Sequence, residues 1–272
     1  MTGLVLSTAE YGSRGGLPTV GLHGGYCTGA AYARIGSEAL PERRWICPDL
    51  RGHGSSPRSG PWTLAQLARD VLATADALGV ERFDVIGHSL GGVVSAELMR
   101  MAPSRIKSAV LLDPPLSTPD EYQRLQDTMA VDYPVDDFAT LDDVIEPRIH
   151  RKASAFQHHL HAELAAMTEP NGRGGLRFRA NKADLAKLVA DVKRHIPASV
   201  GTFSGRVLLV AAGLFDAVTE AGRRALRAQL GDRLMSVTIH DSGHSLLWDA
   251  FDETVLEIKR FLETEDQARL ET

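Results

Sequence analysis

Gly87-His88-Ser89-Leu90-Gly91 is the stretch of this sequence best suited to chemistry. A buried-strand pattern, Phe83–Ile86, leads into it, and a helical pattern from Val93 to Arg100 leads out. Gly-x-Ser-x-Gly between a strand and a helix describes a sharp, strained turn that holds the serine hydroxyl clear of the backbone. Glycine is needed on both sides, because a Cβ there would collide with the neighbouring strand and helix. A serine hydroxyl is a weak nucleophile at neutral pH and needs a base within hydrogen-bond reach. Histidine suits that role, since imidazole titrates near neutrality and can both take and return a proton. His244, in Ser242-Gly243-His244 after the last strand pattern, is the candidate base. Two aspartates, Asp113 and Asp216, stand just beyond strand patterns and could orient it.

The elements that must position these residues alternate. Short β-rich runs and helical patterns follow one another through residue 112 and again from about 206 to the end, which predicts a mainly parallel sheet with helices on both faces. Strands are expected at Thr19–Leu22, Trp45–Pro48, Phe83–Ile86, Ile106–Leu112, Arg206–Ala211 and Met235–Ile239. Thr63 reads as the cap of a helix that Gly79 stops. The last helix is expected from about Trp248 to Glu263. Between Leu116 and Ser199 the pattern turns helical, polar and proline-interrupted, with a break at Pro147. An insertion of this kind sits over the strand ends, so 116–199 is read as a cap or lid, and 1–115 with 200–272 as the core.

The chain of 272 residues carries a net charge of −5, which argues against nucleic acid or an anionic membrane as a partner. A small-molecule substrate remains, and a homodimer is compatible with this composition. Cys27 and Cys47 form no metal or redox spacing and are read as reduced thiols. No apolar run approaches the ~18 residues of a membrane span, and the first residues lack a leader pattern; a cytoplasmic protein is expected. His158 and His161 share a helix face near His159 and Glu163, but the spacing is not that of a zinc motif, and no metal is expected. Arg177-Phe178-Arg179 alternates like a short strand whose arginines form surface salt bridges.

Five motifs in order, Leu22-His23-Gly24-Gly25, Pro48-Asp49-Leu50-Arg51-Gly52-His53-Gly54, Gly87–Gly92, Gly213-Leu214-Phe215-Asp216 and Ser242-Gly243-His244, resemble the α/β-hydrolase fold superfamily. The resemblance implies a cofactor-independent serine hydrolase, with a helical cap inserted after the sixth strand of the sheet. It implies a triad of Ser89, His244 and an acid. Asp216 matches the commoner family position for that acid, and Asp113 the alternative one strand earlier. It also implies an oxyanion hole from the backbone N–H groups of Leu90 and Gly25, with Tyr26 replacing Gly25 if that loop is shifted. His23, His53 and His88 are read as structural, and Asp49 and Asp241 as turn and loop residues. Tyr26, Phe138, Phe156, Phe215 and Trp248 are candidates for an apolar pocket. Such a site hydrolyses a small, partly apolar carboxylic ester or lactone through an acyl-enzyme. Carbon–carbon hydrolases, amide hydrolases and thioesterases share these motifs, and a non-catalytic receptor on the same fold is the alternative of another class. Haloalkane dehalogenases and epoxide hydrolases are disfavoured, because they carry aspartate where this chain has Ser89.

Overall fold

The computed structural model describes residues 2–132, 137–145, 157–195 and 199–270. Its strands in chain order are β1 (Thr8–Gly12), β2 (Pro18–Leu22), β3 (Arg44–Pro48), β4 (Phe83–His88), β5 (Ile106–Leu112), β6 (Thr168–Pro170), β7 (Leu176–Phe178), β8 (Val207–Ala212) and β9 (Leu234–Ile239). The helices are α1 (Leu64–Ala77), α2 (Leu90–Met101), α3 (Pro119–Asp132), α4 (Asp142–Ile145), α5 (Gln157–Met167), α6 (Lys182–Arg194), α7 (Glu220–Leu230), α8 (Leu246–Asp249) and α9 (Phe251–Leu270). Seven strands form one sheet in the order β1-β3-β2-β4-β5-β8-β9, parallel except for β1.

Period-2 alternation divides the central strands between two cores. Phe83 and Val85 of β4, Ala109 and Leu111 of β5, and Val207 and Leu209 of β8 face a cluster with Leu67 and Val71 of α1 and Val94 and Leu98 of α2. Ile86, Val110, Leu112, Leu208 and Val210 face the opposite cluster, with Tyr32, Trp45 and, from α9, Ile258 and Phe261. Covered on both faces, these strands are apolar at nearly every position, which is why they are visible as runs in the sequence. Thr63 caps α1 by accepting from the Gln66 N–H at 3.2 Å, and Gly79, at φ +67°, leaves it in the left-handed region that favours glycine.

Three features depart from the sequence reading. β1 is an extra strand: Thr-Ala-Glu-Tyr-Gly has no apolar run, and only its antiparallel pairing with β3 makes it one. The insertion leaves the sheet after β5, the fifth strand in the chain and not the sixth. It contains, besides helices, the hairpin β6–β7, with Glu169 opposite Arg177. The final helix is two: Ala250, at φ −142°, separates α8 from α9.

The insertion is anchored unevenly. Tyr122 of α3 and Leu188 and Val192 of α6 join the α1–α2 core, and Asp191 accepts the Leu64 N–H at 2.8 Å. The part from Phe138 to Phe178 builds a separate small cluster of Val144, Leu160, Leu164, Met167 and Phe178, and this cluster packs on Tyr26, Cys27 and Trp248. Cys27 is half-buried and Cys47 buried, and neither is in a disulfide. No helix among the described residues is long and apolar enough to cross a membrane.

One buried cation ties the sheet together. The Arg43 guanidinium donates to Asp84 at the start of β4, to Thr19 of β2 at 2.7 Å and to Asp266 of α9 at 2.7 Å. Arg43→Met would leave the Asp84 carboxylate buried without its guanidinium and should cost about 3–5 kcal/mol in urea unfolding. Adding Asp84→Leu should recover most of that loss. A single variant as stable as the parent would show that Arg43 does not hold the sheet.

Candidate active site

The turn after β4 is tight for a specific reason. A Cβ at Gly91 would lie 1.9 Å from the Leu22 carbonyl oxygen, and one at Gly87 would lie 2.3 Å from the Gly91 carbonyl oxygen. The space is used to bring α2 hard against β2 and β4. Ser89 itself sits at φ 52°, ψ −116°, a conformation that a side chain adopts only under strain. Its N–H donates to Leu112 O at 2.9 Å, which extends the β4–β5 pairing past His88 and fixes where the hydroxyl emerges.

His244 completes the arrangement. Its Nε2 lies 2.8 Å from Ser89 Oγ, and its Nδ1 lies 2.7 Å from Asp113 Oδ2. A carboxylate only accepts, so Nδ1 carries the proton and Nε2 is left to accept from the serine hydroxyl. Asp113 follows β5 directly, is fully buried, and holds its other oxygen on the Ala212 N–H at 3.0 Å. Burial raises the Asp113 pKa, opposed by the bonds from His244 and Ala212. Imidazole, hydroxyl and carboxylate are therefore in line, in the geometry of general-base activation.

The carboxylate bonded to His244 is thus Asp113, the alternative that the sequence offered, and not Asp216, the one it favoured. β5 lies beside β4 in the sheet, so its C-terminal end opens directly under the imidazole. Asp216 comes four residues beyond the end of β8, where the chain has turned outward, and it is exposed. It is near enough for its charge to disfavour ionisation of Asp113, and no nearer role is visible.

Of the histidines that flank the motifs, His23 and His53 are buried and His88 is half-buried, and loss of hydration favours the neutral form of all three. His23 bridges Gly24 O and the Leu50 N–H, both at 2.8 Å, and joins the loops that follow β2 and β3. His53 bonds to Arg51 O at 3.1 Å. His88 bonds through Nε2 to His244 O at 2.8 Å, so the residue before the serine holds the loop of the base; a carbonyl only accepts, which puts the proton on Nε2. Burial, with the neighbouring His244 second, lowers the His88 pKa to about 3. Asp49 accepts from the Ser55 N–H in its own loop and from the Gly29 N–H in the segment after β2, and Asp241 is exposed.

Leu90 opens α2, so its N–H has no acceptor inside the helix and lies next to the hydroxyl. Gly25 is in the loop after β2, with open space beside its Cα. The Phe215 ring stands 4.4 Å from that of His244. Tyr26 meets Phe178 at 4.6 Å with the rings tilted by 38°, and Phe138 meets Phe178 edge-on at 5.1 Å. Trp248 donates from its indole to Glu163 Oε2 at 2.9 Å. Phe156 lies outside the described residues, as do the side chains of His158 and His159. His161 is exposed, and no group of three metal-ligating side chains occurs among the described residues. Arg177 pairs with Glu169 at 2.8 Å, a cross-strand salt bridge as read.

A family profile described as the alpha/beta hydrolase fold matches residues 18–251. The chain belongs to that family. Its relatives include Lipase LipV of Mycobacterium tuberculosis (strain ATCC 25618 / H37Rv), 31% identical over 184 residues, which are 64% of this chain and 66% of the lipase. The chain spans at most about two thirds of the length of the curated relatives it matches first. Among solved structures, an E-2-(acetamidomethylene)succinate hydrolase superposes with a TM-score of 0.78 at 20% identity, covering 95% of each chain. The enol-lactonase from Burkholderia xenovorans LB400 superposes with a TM-score of 0.71 at 21% identity, covering 95% of this chain and 96% of its own. At such identities these structures share the fold of this alpha/beta hydrolase and nothing finer.

Phe178 and the contact between Glu163 and Trp248 escaped the sequence reading as parts of the site. The Arg177-Phe178-Arg179 alternation reads as a short strand, but nothing in the sequence says that Phe178 meets Tyr26. One pH consequence follows from the buried imidazoles. His88 and His53, held down to about 3 and about 4 chiefly by burial, stay neutral in the folded protein while the unfolded chain protonates near the ordinary value of 6.5. The unfolded state then binds more protons, so stability should fall as the pH drops below about 6.5. An NMR titration should find the His88 ring unprotonated down to pH 5; a midpoint above 5 would mean that burial does not govern it.

Proposed function

We propose that the chain is a serine hydrolase that works through an acyl-enzyme. The observation that carries this reading is the single imidazole of His244 hydrogen-bonded to both Ser89 and a buried carboxylate. In the reaction Ser89 Oγ attacks a carbonyl carbon while His244 Nε2 takes its proton. Asp113 stabilises the imidazolium and keeps the proton-bearing nitrogen turned toward itself. The backbone N–H groups of Leu90 and Gly25 are the donors for the developing oxyanion, and each such donor is worth roughly 2.7–4 kcal/mol in other enzymes. His244 then hands its proton to the leaving group, and a water molecule reverses the sequence to free the acid.

The substrate class is a small, partly apolar carboxylic ester or lactone, which needs no cofactor. The aromatic surroundings support it: Phe215 stands beside the imidazole, and Tyr26 flanks the proposed oxyanion loop. A lipase among the relatives fits the same class. Residues 116–199 act as the cap, with the cluster around Leu160, Leu164 and Phe178 seated on Tyr26 and Trp248 beside the site and α3 and α6 fastening the cap to the core.

A fluorophosphonate probe should label Ser89, as read by peptide mapping, and labelling should vanish in His244→Ala. A folded chain that is not labelled would leave the triad geometry without chemistry. Asp113→Asn should lower kcat/KM for p-nitrophenyl butyrate by about 10³–10⁴-fold, the size of loss seen when such an acid is neutralised. Asp216→Asn should stay within about threefold of the parent, because it touches neither nitrogen of His244. The reverse ranking would return the acid's role to Asp216.

A further inference from the structure

Glu163 is a carboxyl group that the triad does not use, set where the cap meets the core. Its Oε2 accepts from Trp248 Nε1, while its Oε1 is sealed from solvent and has no hydrogen-bond partner among the described residues. An anion in such a place would keep one donor in exchange for its whole hydration shell, so the neutral acid is strongly favoured. Among the described residues, the groups facing it bring no positive charge. Tyr32, in the turn Gly29–Tyr32 against which α5 packs, spends its hydroxyl on Leu22 O and Ile86 O. Tyr11 of β1 lies within electrostatic reach, and Asp249 of α8 accepts the Gly243 N–H at 2.9 Å. His161, on α5 itself, is exposed near Asp142.

Trp248 links this carboxyl to the base. It lies in α8, which starts two residues after His244. Asp249 on the same short helix grips Gly243, the Leu246 N–H donates to His244 O at 3.0 Å, and His88 donates to the same carbonyl. On its other side the cap reaches the proposed oxyanion loop through the contact of the Phe178 and Tyr26 rings.

We propose that Glu163 is a positioning residue, a neutral carboxylic acid that latches α5 of the cap onto α8 and so holds the cap against the His244 loop, and that its ionisation releases the latch. The consequence for catalysis rests on the serine-hydrolase reading above; the latch itself does not. Burial raises the Glu163 pKa to about 7, with the Trp248 bond opposing. Released into water, the same carboxyl returns to the ordinary value of about 4.3. The proton is therefore bound more tightly in the latched state, and the latch weakens as pH rises from the free value through about 7.

The test is amide hydrogen exchange of α5, Gln157–Met167, at pH 6 and pH 9, expressed as protection factors in Ser89→Ala, where no turnover intervenes. Protection should fall about tenfold between these values, as linkage requires. It should stay flat when Glu163→Gln is added, and Trp248→Phe should lower it already at pH 6. The same pH dependence in Ser89→Ala and in the double variant that adds E163Q would overturn the latch. In the active chain, kcat/KM for p-nitrophenyl butyrate should decline above pH 7, E163Q should retain the pH 6 value and abolish the decline, and E163A should be impaired throughout. A decline that persists in E163Q would show that Glu163 does not position the base. Exchange that behaves as expected in a chain without esterase activity would sink the hydrolase reading and leave the latch standing.

Discussion

The site depends on one imidazole held between two oxygens that belong to adjacent strands. His244 reaches Ser89 at the end of β4 and Asp113 at the end of β5, at 2.8 and 2.7 Å. These two residues can flank one ring only because β4 and β5 are neighbours in parallel register, with His88 opposite Leu112. A one-residue slip would exchange the two faces of a strand and send either the hydroxyl or the carboxylate away from the ring. The register is fixed in turn by the two apolar clusters, since each face of the sheet accepts only one set of alternating side chains.

Strain is concentrated in the same place. Among the described residues, the non-glycine positions with positive φ are Tyr26, Ser89 and Asp113. They follow β2, β4 and β5, three strands that lie side by side. Each such conformation costs of order 1–3 kcal/mol and persists only where the surroundings over-determine it. Here the surroundings are the dense packing of α2 on β2, which leaves no room for a Cβ at Gly91, and the hydrogen bonds from Ser89 and Asp113 N–H to Leu112 O and Val210 O. The stability of a well-covered parallel sheet is used to hold three residues in conformations they would not choose.

Burial sets the charge states around this centre. His23, His53 and His88 are each kept neutral chiefly by loss of hydration, and each directs a ring nitrogen at a backbone carbonyl. His23 and His88 connect separate loops and His53 braces its own, while His244 stays open to the serine. Asp113 is the carboxylate at the heart of the site, with both oxygens engaged. Glu163 is the contrasting case, a carboxyl with one oxygen engaged and, among the described residues, no cation paired to it.

Much of this was legible in the sequence because it is local. Short, continuous apolar runs marked the central strands, Thr63 and Gly79 bounded α1, and glycines around Ser89 announced a turn too tight for side chains. The family motifs singled out Ser89 and His244 by order along the chain. β1 was not legible, since its residues carry no apolar run and pairing with β3 alone makes it a strand. The choice of acid was not legible either. Asp113 and Asp216 both stand just past a strand, and sequence distance does not say which carboxylate comes to rest under an imidazole two strands away. Tertiary structure separates the two: Asp113 meets the ring, while the chain after β8 is drawn toward β9 by the bonds from Gly213 N–H to Ile239 O and from Leu214 N–H to Ser242 O, and Asp216 is carried into solvent. The sequence determined which chemical groups the protein owns and on which kind of element each stands; the packing of the sheet determined which of them touch.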